Sequence, residues 1–392
     1  MSIDLWTLQT TWTYPTTVLF GVGAARKLPR ACAAAGIRRP LVVTDAGLAA
    51  SELLAGVLAI LREGGLAPAL FGEVKSNPVA ANVAAGLAVL RAGGHDGVVA
   101  VGGGSALDAG KVIAFMAGQT RPMWDFEDVG DWWRRADPAG ILPIVAVPTT
   151  AGTGSEVGRA GVITDETTHT KKIIFHPQMM PKTAVLDPEL TVGLPPKLTA
   201  ATGMDALAHC LEAYLAPSFH PMAEGIAVEG LRLVKEALPT AVRTGSDLAA
   251  RGRMLVASAM GATAFQKGLG AIHSLSHPVG AVYDTHHGLT NAVFMPYVLA
   301  FNRPAIEAKL ERLAAWLGLA GRGFEGVQGW ILALREELGI PHTLAGLGIA
   351  DDGFDELAAM AIADPTAGGN PRPLTRDAAR ALLDQAWSGK GV

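Results

Sequence analysis

Short β-branched runs alternate with longer alanine- and leucine-rich segments between residues 17 and 187. The runs at 40–45, 97–101, 141–147 and 184–186 are largely apolar, which predicts strands buried on both faces. The spacing of apolar residues elsewhere in this region predicts helices over 47–64, 79–93 and 105–117. This alternation is typical of an α/β domain built around a mostly parallel sheet.

From Leu198 onward, nearly every segment has helical spacing, with breaks at glycine or proline. We therefore place a boundary near residue 190. It divides the chain into an α/β dinucleotide-binding domain over 1–190 and an all-helical metal-binding and catalytic domain over 191–392. A chain of 392 residues with 49% hydrophobic and 17% charged residues can bury two cores and lacks the signature of disorder.

The charge balance and the cysteines exclude several classes of protein. With 32 basic and 36 acidic residues the net charge is −4, and no basic block indicates nucleic-acid binding. Two cysteines, Cys32 and Cys210, cannot form a disulfide framework, which favours a reducing cytoplasm. We expect no signal peptide, because the N-terminal residues lack a basic segment followed by an apolar one, and no membrane partner. The apolar composition and a strand candidate at 11–19 favour a homodimer or larger homo-oligomer.

Three consecutive glycines, Gly102–Gly104, and Ser105 follow the run 97–101 and open a predicted helix. This arrangement directs backbone N–H groups and a helix dipole at an anion, and without Cβ atoms the main chain can approach a pyrophosphate closely. The sequence is neither a Walker A loop nor G-x-G-x-x-G. A phosphate site is favoured here over a structural turn.

A second loop rich in glycine and hydroxyl groups, residues 148–155, follows the next apolar run. Ligands of open α/β sheets bind at the carboxyl ends of the strands, so two such loops indicate a dinucleotide rather than a single phosphate. Asp45 ends the run 41–44, where it can bind a ribose 2′-hydroxyl and repel a 2′-phosphate, which favours NAD over NADP. The alternative role for Asp45 is the N-cap of the helix that follows.

Four of the ten histidines fall within 15 residues: His273, His277, His286 and His287. His273 and His277 are four positions apart, so a helix would place both side chains on one face, about 6 Å apart. Asp205 and His209 have the same spacing. Pro278 is expected to end or kink the helix that carries His277.

A carboxylate with imidazoles and no thiolate suits a borderline divalent ion such as Fe²⁺ or Zn²⁺. The alternative for an isolated Asp/His pair is a helix cap or a buried structural histidine, and the second histidine cluster favours the metal. The other histidines stand among polar or turn residues and are predicted to lie at the surface or in loops: His95, His169, His176, His220 and His342.

The chain resembles the iron-containing, group III alcohol dehydrogenase family over nearly its whole length. The motifs that carry this resemblance are residues 20–23, 102–111, 148–156, 203–209, 273–278 and 287–292. The resemblance implies a Rossmann-like N-terminal domain that binds NAD(P), an all-helical C-terminal domain, and a metal ion in the cleft between them.

The resemblance also implies the site residues. The positions that match the four metal ligands are Asp205, His209, His273 and His287. His287 is preferred to His286 because the family has glycine directly after the ligand. His277 matches a histidine near the nicotinamide and, together with His273, is assigned to catalysis. The implied cofactor contacts are Asp45, Gly102, Gly103, Gly104, Ser105, Asp108, Thr149, Thr150, Thr153, Ser155, Val162, Lys171, Leu190 and Leu198.

Two positions near the implied site depart from a simple match. Lys172 competes with Lys171 for the role of a lysine near the cofactor ribose, because the two are adjacent. The family often has a cysteine near Thr366, and this chain has none there. Three tryptophans either line a pocket for a bulky alcohol or pack on the domain surface: Trp124, Trp132 and Trp133.

The implied reaction is reversible hydride transfer between a primary alcohol, or its aldehyde, and NAD. A metal ion would polarise the alcohol oxygen, and His277 would relay the proton. The alternatives on the same fold are a maleylacetate reductase-like enzyme, which does not keep the full metal set, and a dehydroquinate synthase-like lyase. The lyase would need a basic cluster that residues 200–290 do not show.

Overall fold

The computed structural model describes residue 14 and residues 16–168 and 170–392. The strands are β1 (Thr17–Phe20), β2 (Pro40–Asp45), β3 (Ala69–Val74), β4 (Gly97–Gly102), β5 (Ile144–Pro148), β6 (Ala160–Asp165), β7 (Thr170–Phe175) and β8 (Thr183–Leu186). The α-helices are α1 (Leu28–Ala34), α2 (Glu52–Glu63), α3 (Ala80–Ala92), α4 (Gly104–Met116), α5 (Pro196–Leu215), α6 (Pro221–Arg243), α7 (Leu248–Ala264), α8 (Ala271–Tyr283), α9 (His287–Trp316), α10 (Gly323–Glu337), α11 (Phe354–Ala363) and α12 (Arg376–Ser388).

Six strands form a parallel sheet in the order β1-β8-β5-β4-β2-β3. Every residue of β4 and β5 is buried, because apolar clusters cover both faces of the sheet. One cluster contains α3 and α4 side chains, and the other contains α1 and α2 side chains. The predicted α/β domain with a mostly parallel sheet is confirmed, and its long apolar runs reflect burial on both faces.

The direction of the chain across the sheet reverses between β2 and β4. Strand β2 is followed by β3 on one side, whereas β4 is followed by β5 on the other. In open α/β sheets this reversal opens a crevice at the carboxyl ends of the two strands, where ligands bind. Asp45 ends β2 and Gly102 ends β4, so both residues lie at this reversal point.

The sequence did not predict two parts of the α/β region, β3 and the β6–β7 pair. Strand β3 is an edge strand in which only Phe71 and Val74 are buried, and with Gly72 in its middle it lacks a continuous apolar run. Strands β6 and β7 form a separate antiparallel pair that is only half buried, so it lacks a continuous apolar run. The start of one helix also differs from the prediction. Helix α2 begins at Glu52 rather than residue 47, because Ser51 accepts the Leu54 N–H and caps it.

Among the described residues, the chain from 196 to the C-terminus contains helices and no strand, which confirms the predicted all-helical second half. Helix α8 does not end at Pro278 and continues to Tyr283.

Contacts divide the chain into two compact units. One holds residues 16–199 with Arg243–Ala259, and the other holds Ala200–Val242 with Met260–Val392. The boundary at residue 190 stays a prediction. No helix in the described part is long and apolar enough to cross a membrane.

Two histidines predicted at the surface or in loops are buried. His176 and His220 are each 4% exposed. The Nδ1 of His176 accepts the Gln178 N–H at 3.1 Å, and the Nδ1 of His220 accepts the Ala223 N–H at 3.2 Å in the first turn of α6. Both lie in loops, as the prediction allows, but not at the surface, because an imidazole can cap backbone donors inside the protein. His169 lies outside the described residues, as do residues 11–13 and 15 of the strand candidate at 11–19, and residues 17–19 of that candidate belong to β1.

The three tryptophans pack against neighbouring side chains of their own unit. Trp124 is partly buried and packs against the apolar cluster that contains α3 and α4 side chains. The ring of Trp133 meets that of His176 edge-on at 5.8 Å, and the Arg135 guanidinium lies 4.1 Å from the centroid of Trp132. These contacts give the tryptophans a packing role.

Candidate metal and dinucleotide sites

The two glycine-rich loops touch at the carboxyl edge of the sheet. The Thr149 N–H donates to the Gly102 carbonyl at 2.9 Å. A Cβ on Gly104 would stand 2.6 Å from Cγ2 of Thr153, closer than real contacts allow, so the loops approach only because residue 104 has no side chain. The two loops therefore form one continuous surface at the first turn of α4, where backbone N–H groups can bind phosphate.

Asp45 lies beside this surface. Its Oδ1 accepts the Leu48 N–H at 3.0 Å, which closes the turn after β2. Its Oδ2 lies 3.2 Å from the position that a Cβ on Gly102 would take. The alternative role as the N-cap of α2 is wrong, because Ser51 holds that position. One carboxylate oxygen of Asp45 is thus placed next to the glycine loop.

Three of the expected cofactor residues hydrogen-bond one another. Asp108 on α4 accepts the Ser155 hydroxyl at 2.5 Å and the Val162 N–H at 3.0 Å. The buried Lys111 ammonium lies 3.1 Å from Asp108 and donates to the carbonyls of Ser155 and Ala160. This network, which we call the α4 clamp, ties α4 to the second loop and to β6.

The other expected cofactor residues of this unit lie in varied positions. Lys172 pairs with Asp165 at 2.9 Å and approaches Glu127 at 3.9 Å, and Lys171 precedes it on β7, where successive side chains point to opposite faces. The Ser105 hydroxyl donates to the Ser76 carbonyl. Leu190 packs on an apolar cluster, Thr150 is half-buried and Leu198 is exposed.

A buried carboxyl group directly follows the second glycine-rich loop, residues 148–155, and one of its oxygens lacks a hydrogen-bond partner. Glu156 is 1% exposed, and its Oε1 has no hydrogen-bond partner. Burial raises the pKa of Glu156 to about 7, against the opposing effects of its own backbone N–H and of Lys111. The ionised form is disfavoured because it loses its hydration without a matching donor.

This shift predicts a pH-dependent loss of stability. Between the ordinary pKa of 4.5 and about 7, the unfolded chain releases a proton that the folded chain keeps. The free energy of unfolding therefore falls as the pH rises through this window, by up to about 3 kcal/mol. Glu156→Gln is expected to be more stable than the parent by an amount that grows from pH 5 to pH 8. Denaturant unfolding at several pH values measures this.

The matched control for that experiment is Glu63→Gln, which makes the same change at an exposed position. We expect no comparable divergence for it. A Glu156→Gln curve that runs parallel to the parent curve across the whole range would contradict the assignment.

In the other unit, three helices bring together a carboxylate and two imidazoles. Asp205 on α5, His273 on α8 and His287 on α9 have ligand atoms that all lie within 4.8 Å of one another. The Nε2 atoms of His273 and His287 lie 3.9 and 3.6 Å from Asp205 Oδ1. This donor set fits a borderline divalent ion such as Fe²⁺ or Zn²⁺.

The fourth expected ligand, His209, lies beside this group. Its ring stacks on that of His273 with centroids 4.7 Å apart, but it is not one of the three residues whose ligand atoms are close together. Of the two adjacent histidines, His287 belongs to the group, and His286 is exposed. A Cβ on Gly288 would stand 2.1 Å from the Ala201 carbonyl oxygen, so glycine allows α9 to begin against α5.

Burial controls the charge of this group. Burial, together with the neighbouring His209, lowers the pKa of His273 well below its usual range, despite the attraction of Asp205. The ring is therefore neutral, as a metal ligand must be. Burial also raises the pKa of Glu212 to about 7, against the backbone N–H groups that donate to its carboxyl group.

Asn291, one helical turn after His287, links the group together. Its Nδ2 donates to Asp205 Oδ1 at 2.8 Å and lies 3.3 Å from His273 Nε2 and 3.1 Å from His287 Nε2. Its Oδ1 accepts the Ser276 hydroxyl at 2.5 Å. One buried amide therefore contacts all three members of the group.

The ring of His277 contacts an acidic residue, Asp364, near the C-terminal end of the chain. Its Nδ1 lies 2.8 Å from Asp364 Oδ2, and its ring stacks on that of His287 at 5.2 Å. Thr366 donates its N–H and hydroxyl to Asp364 Oδ1. Burial alone would raise the pKa of Asp364, but His277 and the hydrogen bonds outweigh it and lower the pKa. Thr366 thus orients Asp364.

Sequence reasoning missed Glu212, Asn291 and Asp364 as parts of this site. Helical spacing carried a signal for two of them. Glu212 lies seven positions after Asp205, on the same face of α5, and Asn291 lies four positions after His287. No local spacing could identify Asp364, because it meets His277 across 87 residues of sequence.

Both parts of the chain match known families. Residues 15–188 match the family model "Iron-containing alcohol dehydrogenase", and residues 199–387 match "Fe-containing alcohol dehydrogenase family, C-terminal". A 4-hydroxybutyrate dehydrogenase of Cupriavidus necator is 42% identical over 382 residues, which cover 95% of this chain and 98% of the relative. An NAD-dependent methanol dehydrogenase of Bacillus methanolicus is 36% identical, with coverage of 94% and 97%.

A solved structure of a 1,3-propanediol oxidoreductase is also similar. It matches with a TM-score of 0.91 at 36% identity, covering 96% of this chain and 100% of that one. The relatives are named as dehydrogenases of alcohols, so the reductase-like and lyase alternatives are not favoured. On the candidate metal site, the glycine-rich sheet edge and these matches, the chain belongs to the iron-containing alcohol dehydrogenase family.

Proposed function

We propose that this protein is an NAD-linked, metal-dependent dehydrogenase that interconverts a small primary alcohol and its aldehyde. The observation that carries the proposal is the convergence of Asp205, His273 and His287 from three helices, with ligand atoms within 4.8 Å. The relatives named for 4-hydroxybutyrate and methanol act on primary alcohols, which supports that substrate class.

In this proposal Asp205, His209, His273 and His287 hold a divalent ion, with Fe²⁺ preferred on the family description and Zn²⁺ compatible with the same donors. A bound ion of this kind supplies Lewis-acid chemistry that makes an alcohol oxygen more acidic. The neutral His273 ring serves as a ligand because burial suppresses its protonation. Asn291 keeps the ligand side chains in one arrangement.

We assign proton transfer to His277. Its Nδ1 contacts Asp364, which leaves Nε2 as the atom that can take or give a proton during turnover. Asp364 stays ionised because its pKa is lowered, so it also stabilises the charged imidazole. Thr366 holds the carboxylate in place through two hydrogen bonds.

The first turn of α4 and the second glycine-rich loop, residues 148–155, are proposed to bind the dinucleotide through backbone N–H groups. The nicotinamide of the dinucleotide would supply the hydride acceptor. Asp45 supports NAD rather than NADP, because its Oδ2 stands beside the glycine loop. Lys171 is retained as the lysine near the ribose, and the neighbouring Lys172 pairs with Asp165.

The role of Asp45 predicts the effect of a neutral substitution. Asp45→Asn keeps the oxygen that accepts the Leu48 N–H and removes the charge that repels a 2′-phosphate. We expect the ratio of kcat/KM for NAD to that for NADP to fall at least about tenfold. Steady-state kinetics with both cofactors measure this ratio. An unchanged ratio would remove Asp45 from cofactor selection.

The experiment that tests the proposed function combines turnover with metal analysis. Purified protein is mixed with NAD and a panel of primary and secondary alcohols, and NADH formation and bound metal are measured on the same sample. We expect activity with small primary alcohols and about one metal ion per chain. No turnover with any primary alcohol in metal-loaded protein would refute the proposal.

We also propose a homo-oligomer that acts in the cytoplasm. Strand β1 lies at the edge of the sheet, and three apolar side chains in and after it are exposed: Val18, Phe20 and Val22. An exposed apolar edge strand favours pairing with another chain. Both cysteines are buried and neither is in a disulfide, which suits a reducing compartment. Light scattering of the purified protein tests the oligomer, and a monomer at micromolar concentration would contradict it.

A further inference from the structure

Glu212 joins two of the helices that carry the metal-binding group. It lies on α5, seven positions after Asp205, and is 5% exposed. Its Oε1 accepts the Ile272 N–H at 2.7 Å in the first turn of α8, and its Oε2 lies 2.6 Å from His273 Nδ1. One carboxylate therefore contacts both the backbone and the ligand side chain of α8.

The orientation of Asn291 shows which His273 nitrogen carries the proton. The Asn291 amide donates to Asp205 Oδ1, and a carboxylate can only accept, so the amide NH₂ faces this side. The same NH₂ lies 3.3 Å from His273 Nε2, where an N–H would face another donor, so Nε2 carries no proton. A neutral imidazole has a single N–H, so the proton of His273 is on Nδ1 and is donated to Glu212.

We propose that Glu212 is a positioning residue that fixes His273 in the Nδ1–H tautomer, with the Nε2 lone pair directed at Asp205 and His287. This inference rests on the proposed metal-binding function and goes beyond it by assigning a residue that is not a ligand. Carboxylates that accept the second N–H of a metal-binding histidine set its tautomer and ring orientation. Here the same side chain also fixes the helix on which that histidine stands.

Glu212→Gln tests the proposal with little change in shape. The amide oxygen of the new side chain can still accept the Ile272 N–H, but its NH₂ group would then face His273 Nδ1 and favour a proton on Nε2. We expect the affinity of metal-free protein for Co²⁺ to fall about 10–100-fold. Titration followed by the visible absorption of bound Co²⁺, with a competing chelator, measures the affinity independently of turnover.

Glu224→Gln is the matched control. It makes the same chemical change in the same unit, where the carboxylate contacts Lys267 and Lys309 instead of a histidine. We expect it to keep the parent affinity for Co²⁺. Equal affinity of Glu212→Gln and Glu224→Gln would overturn the role of Glu212.

Nitrogen NMR of the histidine rings in the metal-free parent gives a second, independent measurement. We expect His273 to be protonated at Nδ1 in the parent and at Nε2 in Glu212→Gln. A parent protonated at Nε2 would overturn the proposal even if the variant fails to fold. A parent that does not bind Co²⁺ would contradict the metal-binding function, and the tautomer of the parent would still decide the role of Glu212.

Discussion

Replacing His273 with alanine is expected to remove metal binding and alcohol oxidation together. The ring is one of three side chains whose ligand atoms lie within 4.8 Å, and it also contacts Glu212 and stacks on His209. Loss of a ligand should weaken metal binding by more than the roughly 10–100-fold that loss of an outer hydrogen bond costs. Metal content after gel filtration and NADH formation measure the two losses on one sample.

His286→Ala is the matched control for this substitution. His286 is a histidine adjacent to a ligand but exposed and outside the group of three. We expect His286→Ala to keep metal and activity. Full activity in metal-free His273→Ala, or loss of metal in His286→Ala with retention in His287→Ala, would contradict the assignment.

Lys111→Met is expected to destabilise the α/β unit by about 3–5 kcal/mol. The ammonium is 1% exposed, lies 3.1 Å from Asp108 and donates to the carbonyls of Ser155 and Ala160. Its removal leaves a largely buried carboxylate and two carbonyls without their donor, which is the costly case for a buried pair. Because these groups form the α4 clamp, we also expect weaker NADH binding. Denaturant unfolding and NADH fluorescence measure the two effects.

Lys75→Met provides the comparison for this change. Lys75 approaches Glu166 at 4.0 Å with both side chains more than half exposed, and such surface pairs contribute at most about 1 kcal/mol. If Lys111→Met proved as stable as Lys75→Met, the α4 clamp would not be a stabilising element. Adding Asp108→Asn to Lys111→Met should recover part of the loss, because no unpaired carboxylate remains.

The sequence was sufficient for the parts of the fold that are buried on both faces. Largely apolar runs form the strands β2, β4, β5 and β8, and such runs predict burial directly from the sequence. Strands β3, β6 and β7 were missed because at least half of the residues of each are not buried. The burial of the loop residues His176 and His220 could not be predicted for a related reason, since it depends on capping contacts that composition does not reveal.

For the site, sequence spacing identified the groups that a single helix carries. Asp205 and His209 share a face of α5, and His287 stands at the start of α9. Contacts between distant segments could not be predicted. Asp364 reaches His277 across 87 residues, and Glu212 reaches His273 across 61. These pairings depend on helix packing, and helix packing has no local signature in sequence.

The most direct test of the central claim is the metal dependence of alcohol oxidation by the unmodified protein. Protein treated with a chelator and then dialysed is assayed for NADH formation from a small primary alcohol, before and after one equivalent of Fe²⁺ or Zn²⁺ is added. We predict loss of activity with the metal and its recovery on addition of one equivalent per chain. Undiminished NADH formation by protein shown to contain no metal would contradict the account.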